Sequence, residues 1–527
     1  MRVNLLLRIK KLIRSNKYGK KQFSSCFTSI CLISRRISSH FIMLINKFSR
    51  PILFSFLMSI CVITAKSQTP ASEESLKNYF EGYNAGNYTM MRETMAGPLK
   101  LLLTEKKLEM MYGGLKAQMG HAKIKELKWK SSSVKADVLY QCDTTEAMNY
   151  GFTFSKKGKI IGLGGKTKKF TYEKKEDHAI APNTVNRIDS LVNHKHIAGS
   201  FNGCVTVVEN NEVIYEKCYG PANRESGEKL QHTTVFEIAS CSKAFTAMCV
   251  LLLQQQGKIS VKDPIVKYIP ELKMYKGVTI EHLVAHTGGI PDYMILLDEH
   301  WDKKNVAINE DVVKLLAKYH PKKSFSPGKE HEYSNTGYVL LGVIVERVSS
   351  LSLAEFMKKE IFDPLAMTSS RIYNTRRSKG EILDNYAFGY IRNLEKNSYS
   401  IPDSLPDYDY VYFLDGITGD GTVNTNVRDL VKWDAALRKP GIFTQETLDL
   451  AFKAIPLASG ESTEYAYGWG ISEKEGYETI IEHSGSWPGY TSYILRFKDK
   501  NRAVIVLSNA EYLYMSYLAN GIAKLLE

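Results

Sequence analysis

The chain has 527 residues, long for one domain and ample for two folded units. Its formal charge of +14 would ordinarily point to nucleic acid or an anionic surface, but residues 1–65 hold 12 Lys or Arg and no Asp or Glu. The rest then carries 58 basic against 56 acidic residues, a nearly neutral balance that removes the electrostatic reason to expect a nucleic-acid partner.

Residues 1–67 read as a targeting segment. Lys47 and Arg50 precede the apolar run from Ile52 to Ala65, which has signal-peptide rather than membrane-span length. Met43 offers a more ordinary start, so residues 1–42 are either an untranslated upstream extension or a long basic region. Cleavage after Ala65 or Ser67 satisfies the small-residue rule and implies an exported protein, periplasmic or secreted, touching a membrane only if the segment stays uncleaved. Residues 68–165 then read as a small α+β accessory domain. Helical patterns run through Leu76, Tyr79, Phe80 and Tyr83 and from Leu99 to Tyr112. Short strands follow at Ile124–Trp129, Val134–Tyr140, Tyr150–Phe154 and Lys159–Leu163, expected to form a curled antiparallel sheet. This helices-then-sheet order is similar to the cone-shaped folds of nuclear-transport-factor-like domains, with no motif attached. Residues 166–183 are polar and aperiodic and read as a linker.

From Thr184 to the C-terminus a helix leads into a hairpin around Asn210-Asn211, followed by a helical middle. Two late strands, Tyr490–Phe497 and Ala503–Leu507, precede a last helix from about Tyr512 to Leu526. Early and late strands separated by helices predict one antiparallel sheet closed by both ends of the chain, with helices on its faces: an α/β (α+β) fold over 184–527. Five cysteines follow residue 65, namely Cys142, Cys204, Cys218, Cys241 and Cys249, so at least one thiol stays free in an exported chain. Cys204 and Cys218 flank the hairpin and could face each other, yet buried free thiols are the expectation. Their spacings match no zinc pattern.

Three short segments carry chemistry. Ser240-Cys241-Ser242-Lys243 opens an apolar helix that stops at Gly257, and residues i and i+3 share a helical face, so Lys243 can lie beside the Ser240 hydroxyl. The bare Ser-x-x-Lys pattern also occurs at Ser132/Lys135, Ser226/Lys229 and Ser326/Lys329; only Ser240 has a strand-like approach and a long apolar helix behind it. Tyr333-Ser334-Asn335 precedes a second apolar helix. A phenol beside an ammonium is favoured as its anion, so Tyr333 near Lys243 can serve as general base, with Asn335 bonding an acyl-group amide. Alone, this tripeptide reads as a turn feeding a helix. His483-Ser484-Gly485-Ser486 lies just ahead of a strand. Gly485 would let a substrate backbone approach, Ser486 would offer an N–H to an oxyanion, and His483 would titrate near neutrality. By itself it reads as a surface histidine in a glycine-rich turn. His282 and His286 are four apart, but the Glu of a zinc-protease helix is missing and a structural role is expected, with no metal.

In this order and on these elements, the three segments resemble the active-site triplet of the serine β-lactamase and penicillin-recognising superfamily. Thr279 to Tyr293, Phe325 to Gly328, Ile361 to Met367 and Gly419 to Asp429 look like its branch of class C β-lactamases, esterases and D-stereospecific peptidases. The resemblance covers about residue 185 onward. It implies a serine hydrolase with Ser240 as nucleophile, Lys243 and Tyr333 as its activators, and Asn335, His483, Gly485 and Ser486 binding substrate or oxyanion, without metal or organic cofactor. D-Ala-D-Ala peptides, β-lactams and simple esters all remain open as substrates. So does a catalytically inactive receptor or scaffold for cell-wall peptide. Histidine where many members carry a Lys-Thr-Gly cation weighs against efficient β-lactamase action.

Overall fold

The computed structural model describes residues 69–527 apart from short stretches at 97–98, 101–102, 110–111, 113–120, 130–134, 143–147, 156, 167–171, 173–179, 376–382, 394–397 and 511–514. The targeting segment therefore lies outside the described residues, as do parts of the expected 99–112 helix and of the linker. The chain divides into two compact units between Thr167 and Lys168.

In the first unit, α1 (Thr69–Ala85) and α2 (Tyr88–Glu93) precede four strands, β1 (Ala122–Trp129), β2 (Lys135–Cys142), β3 (Met148–Phe154) and β4 (Ile160–Lys166). They pair in sequence order as an antiparallel meander. The apolar stripe of α1 supplies Tyr79, Phe80 and Tyr83, which pack edge-on or tilted against Tyr112, Tyr140 and Phe152. Aromatic side chains thus supply much of this small core, each burying a large area.

The second unit is built on a six-stranded antiparallel sheet. Its early strands are β5 (Gly203–Glu209) and β6 (Glu212–Tyr219), after helix α3 (Thr184–Ile197). Asn210 and Asn211 both adopt positive φ, 50° and 67°, as the tight right-twisted hairpin requires. Four smaller strands follow: β7 (Phe236–Glu237), β8 (Arg371–Ile372), β9 (Ile391–Asn393) and β10 (Ser398–Ser400). The set closes with β11 (Val423–Thr425), β12 (Gly470–Ser472), β13 (Ile480–Trp487), β14 (Tyr490–Phe497) and β15 (Arg502–Ser508). The large sheet runs β12-β13-β14-β15-β5-β6, so β15 pairs with β5 and both ends of the segment close one sheet, while β7-β11-β8 form a small second sheet. Every residue of β14 and β15 is buried, as a strand covered on both faces must be.

Helices cover the two faces. On one face lie α4 (Ser242–Gln255), α5 (Ile280–Val284), α6 (Tyr293–His300), α7 (Asn309–Tyr319) and α8 (Asn335–Ser349). On the other, α3 packs with the terminal helix α9 (Met515–Leu525). No helix among the described residues is long and apolar enough to cross a membrane.

Two expectations need correction. Cys204 and Cys218 are joined by a disulfide, because the β5–β6 register sets them directly opposite with Cα atoms 4.0 Å apart. A bulge between Val207 and Val208 brings them into line, and sequence spacing does not reveal a bulge. Cys241 and Cys249 are free and buried. Nor is all of 166–183 a solvated linker. Tyr172 is 1 % exposed, donates its hydroxyl to Asn520 at 2.5 Å, meets Phe497 edge-on at 4.9 Å, and accepts the Glu478 N–H on its carbonyl at 2.7 Å.

Candidate active site

The nucleophile candidate is lifted by a strained turn. Ala239 has φ +46°, a left-handed conformation disfavoured by its Cβ, directly ahead of Ser240. Hydrogen bonds fix the turn from the β11 side: Ile238 N–H donates to Val423 C=O at 3.0 Å, and Val423 N–H donates to Ser242 Oγ at 3.0 Å. The 3₁₀ turn Ala239–Cys241 then runs into α4, leaving Ser240 partly exposed while the helix behind it is buried.

Lys243, one turn on, is fully buried and donates to three acceptors: Ser240 Oγ at 3.1 Å, Asn335 Oδ1 at 2.9 Å and the Asp420 carbonyl at 2.7 Å. Three N–H donors meet three oxygens, the arrangement a buried ammonium needs. The Tyr333 and Tyr338 ring centroids lie 5.0 and 5.6 Å from Nζ, adding cation–π attraction. Asn335 begins α8, where Ser334 caps the helix by accepting the Gly337 N–H. Tyr333, just before the cap, is 46 % exposed.

The third segment is strand, not turn. His483–Ser486 lie within β13, and the hairpin is made by Pro488-Gly489, where Gly489 takes φ +92°. The alternation buries His483 and Gly485 and exposes Ser484 and Ser486. A Cβ on Gly485 would lie 2.2 Å from the Ile238 carbonyl oxygen and 2.3 Å from Ser492 Oγ, so this glycine is needed for packing β13 against the nucleophile turn. β12 pairs only with Ile480–Glu482, and the strand from His483 onward runs past it.

His483 departs from expectation in its charge as well. Burial first, and Lys243 second, push it down to about 3, so the ring is neutral at physiological pH rather than titrating there. Its Nε2 faces the Tyr465 hydroxyl at 2.9 Å and its Nδ1 the Ser484 carbonyl at 2.7 Å. Those partners place the proton on Nδ1. His282 and His286 face different partners: His282 Nδ1 accepts the Thr279 N–H in a capping box, and His286 Nδ1 accepts the Ser334 N–H.

Several groups at the cleft were not evident from sequence. Asp420 contributes a main-chain carbonyl, which no side-chain pattern signals. Its buried carboxyl, raised above the usual range by desolvation, accepts the Tyr293 hydroxyl at 3.0 Å. Tyr465 comes from an irregular segment, and its one signal is its aromatic type. Cys241, beside the nucleophile, donates to the His483 carbonyl at 3.4 Å and lies 3.2 Å from Ser492 Oγ, and burial raises its thiol to about 12.

An antiparallel sheet flanked by helices, with a serine and a buried lysine one helical turn apart under a tyrosine and a strand edge, defines a serine acyl hydrolase. The chain belongs to the β-lactamase family, whose model, described as Beta-lactamase, matches residues 186–526. Penicillin-binding protein 4* of Bacillus subtilis (strain 168) is 39 % identical over 311 residues, spanning 59 % of this chain and 68 % of that protein. The octameric penicillin-binding protein homologue from Pyrococcus abyssi superposes with TM-score 0.55 at 30 % identity, over 65 % of this chain and 77 % of that one. D-amino acid amidase from Ochrobactrum anthropi SV3 shares the fold with TM-score 0.52 at 22 % identity, over 65 % and 96 %.

Proposed function

We propose that the protein is an exported serine hydrolase that forms an acyl-enzyme at Ser240 and acts on an amide or ester bond. The observation that carries this reading is the placement of Lys243, whose ammonium is shared by Ser240 Oγ, Asn335 and the Asp420 carbonyl. With all three of its protons engaged, Lys243 acts as a fixed positive charge beside the nascent alkoxide. Tyr333, whose ring lies beside that charge, takes the Ser240 proton as general base and passes it to the leaving group. The N–H groups of Ser240 and Ser486 receive the oxyanion, and a substrate backbone lies along β13 beyond β12. Water then attacks the acyl carbon and releases the acid.

Neutral His483 narrows the substrate class. Where a cation would hold a carboxylate, this strand offers an uncharged imidazole already engaged with Tyr465 and Ser484. Neutral acyl amides and esters, D-amino acid derivatives among them, therefore fit better than penicillins, whose recognition relies on their carboxylate. Names among the relatives, a penicillin-binding protein and a D-amino acid amidase, agree with an acyl-transfer site of this breadth. Export rests on the basic and apolar segment before residue 68 and agrees with the Cys204–Cys218 disulfide, a bond that persists in oxidising compartments.

The test is intact-mass detection of a covalent adduct after exposure to a fluorophosphonate and, separately, to a fluorescent penicillin. One fluorophosphonate adduct, lost in Ser240→Ala and strongly slowed in Lys243→Ala, is expected, with slower labelling by penicillin. A wild-type chain that takes neither label would instead be a binding protein that keeps the fold.

A further inference from the structure

His286 is buried, at 1 % exposure, and holds a left-handed backbone conformation, φ +57°, which for a non-glycine residue persists only when its surroundings impose it. That conformation turns its main-chain carbonyl and its imidazole toward one stretch of chain. The carbonyl accepts the Glu332 N–H at 3.0 Å, and Nδ1 accepts the Ser334 N–H at 3.0 Å. Between those two residues is Tyr333, whose ring centroid lies 4.4 Å from the imidazole, the planes tilted by 35°.

From this geometry we infer that His286 is the positioning residue of Tyr333, a two-point clamp that fixes the chain on either side of the phenol and packs against its ring. The inference rests on the reading that Tyr333 takes the Ser240 proton. It explains why a polar ring occupies an apolar place. Since Nδ1 accepts, the ring proton sits on Nε2, which has no hydrogen-bond partner among the described residues and faces a cage that includes Tyr338 and Tyr465, 5.1 and 4.6 Å away between ring centroids. A buried donor left unmatched is costly, so the ring is held by what its other nitrogen does. Turned over, it would bring N–H against the Ser334 N–H. Burial, Lys243, His331 and His483 all hold the ring neutral, and a neutral ring is required for Nδ1 to accept.

Two substitutions separate the clamp from simple packing. His286→Phe keeps ring volume and removes the acceptor; His286→Asn offers Oδ1 as an acceptor and tolerates left-handed backbone well. Steady-state hydrolysis of p-nitrophenyl acetate and amide hydrogen exchange over residues 332–335 are measured for both. In His286→Phe we expect kcat to fall roughly 10- to 100-fold with KM within about threefold, as for a catalytic group displaced by about an ångström. Exchange at 332–335 should quicken at least about tenfold, and His286→Asn should recover most of both losses. If the Phe variant does not fold, His286→Gly removes the imidazole with no backbone penalty and carries the same expectation. Unchanged exchange in the Phe or Gly variant overturns the clamp whatever the rate does. Faster exchange with unchanged kcat overturns its role in positioning. If Tyr333→Phe keeps full kcat, the reading of Tyr333 as base fails, while the exchange result still decides whether the clamp exists.

Discussion

A methyl group on Gly485 would point at the Ile238 carbonyl from 2.2 Å, and neither neighbour is a flexible side-chain tip that could swing away without loss: one is main chain and the other, Ser492 Oγ, is buried and bonded to that same carbonyl. Gly485→Ala must therefore push β13 away from the turn that carries Ser240. Overpacking of this kind costs about 1–3 kcal/mol. We expect a chain that folds with a lowered urea midpoint and labels at Ser240 at least about 100-fold more slowly, because oxyanion donors on the turn and the strand separate. Normal labelling would show that the strand can yield without disturbing the site. The sequence makes Ser240 and Lys243 legible through context: the i, i+3 spacing recurs elsewhere in the chain, and the strand-like approach and the long apolar helix behind it single out this copy. It hides Asp420, which works through its carbonyl, and His286, whose role depends on a left-handed φ that a histidine does not advertise. It also misplaces the charge of His483, because burial rather than residue type decides protonation there.

Among elements, the β5–β6 hairpin is closed twice, by its Asn-Asn turn and by Cys204–Cys218. A cross-link over 14 residues restricts the unfolded chain by about 3 kcal/mol in the chain-entropy picture, less where a hairpin already biases it. The double variant Cys204→Ala, Cys218→Ala should therefore lose about 2 kcal/mol in urea denaturation, and a reducing agent should lower the wild type but not the variant. An equal effect of reductant on both would place the sensitivity elsewhere. The strands were readable from alternation and turn residues, and β14 was found at the residues expected, Tyr490–Phe497. β13 was not, because His-Ser-Gly-Ser carries turn-forming residues that only pairing with β14 makes extended.

For the whole molecule, the boundary between units is a matter of where packing begins. A chain starting at Lys168 retains Tyr172 in the core of the second unit, whereas one starting at Thr184 deletes it and leaves Asn520 and the Glu478 N–H without those partners. The longer chain should melt several degrees higher, and equal melting would mean that Tyr172 contributes nothing. Acid should weaken the second unit early. His286 and His483 are neutral when folded and depressed below the unfolded value of about 6.5, so below that pH the unfolded chain binds protons that the folded one refuses. Stability is full above pH ~6.5 and falls as pH drops, by up to about 1.4 kcal/mol per pH unit for each such histidine. Between pH 6.5 and 5.5, ahead of the carboxyl groups that titrate lower, the urea midpoint should fall, and His483→Gln should make that fall shallower. A midpoint flat across this interval would contradict the burial of both rings.

Cys241 places a second nucleophilic atom one residue from Ser240, yet the two are sorted by depth: Ser240 is half-buried, and the Cys241 thiol is buried and held protonated to about pH 12. The reactive form of cysteine is the thiolate, and none is available here at neutral pH. Cys241 is thus no understudy for Ser240. When Ser240 is removed its neighbour cannot take over, so intact mass of Ser240→Ala should show no acyl adduct moved to Cys241, and maleimides that disarm thiol enzymes by alkylating their nucleophile should not block acylation at Ser240.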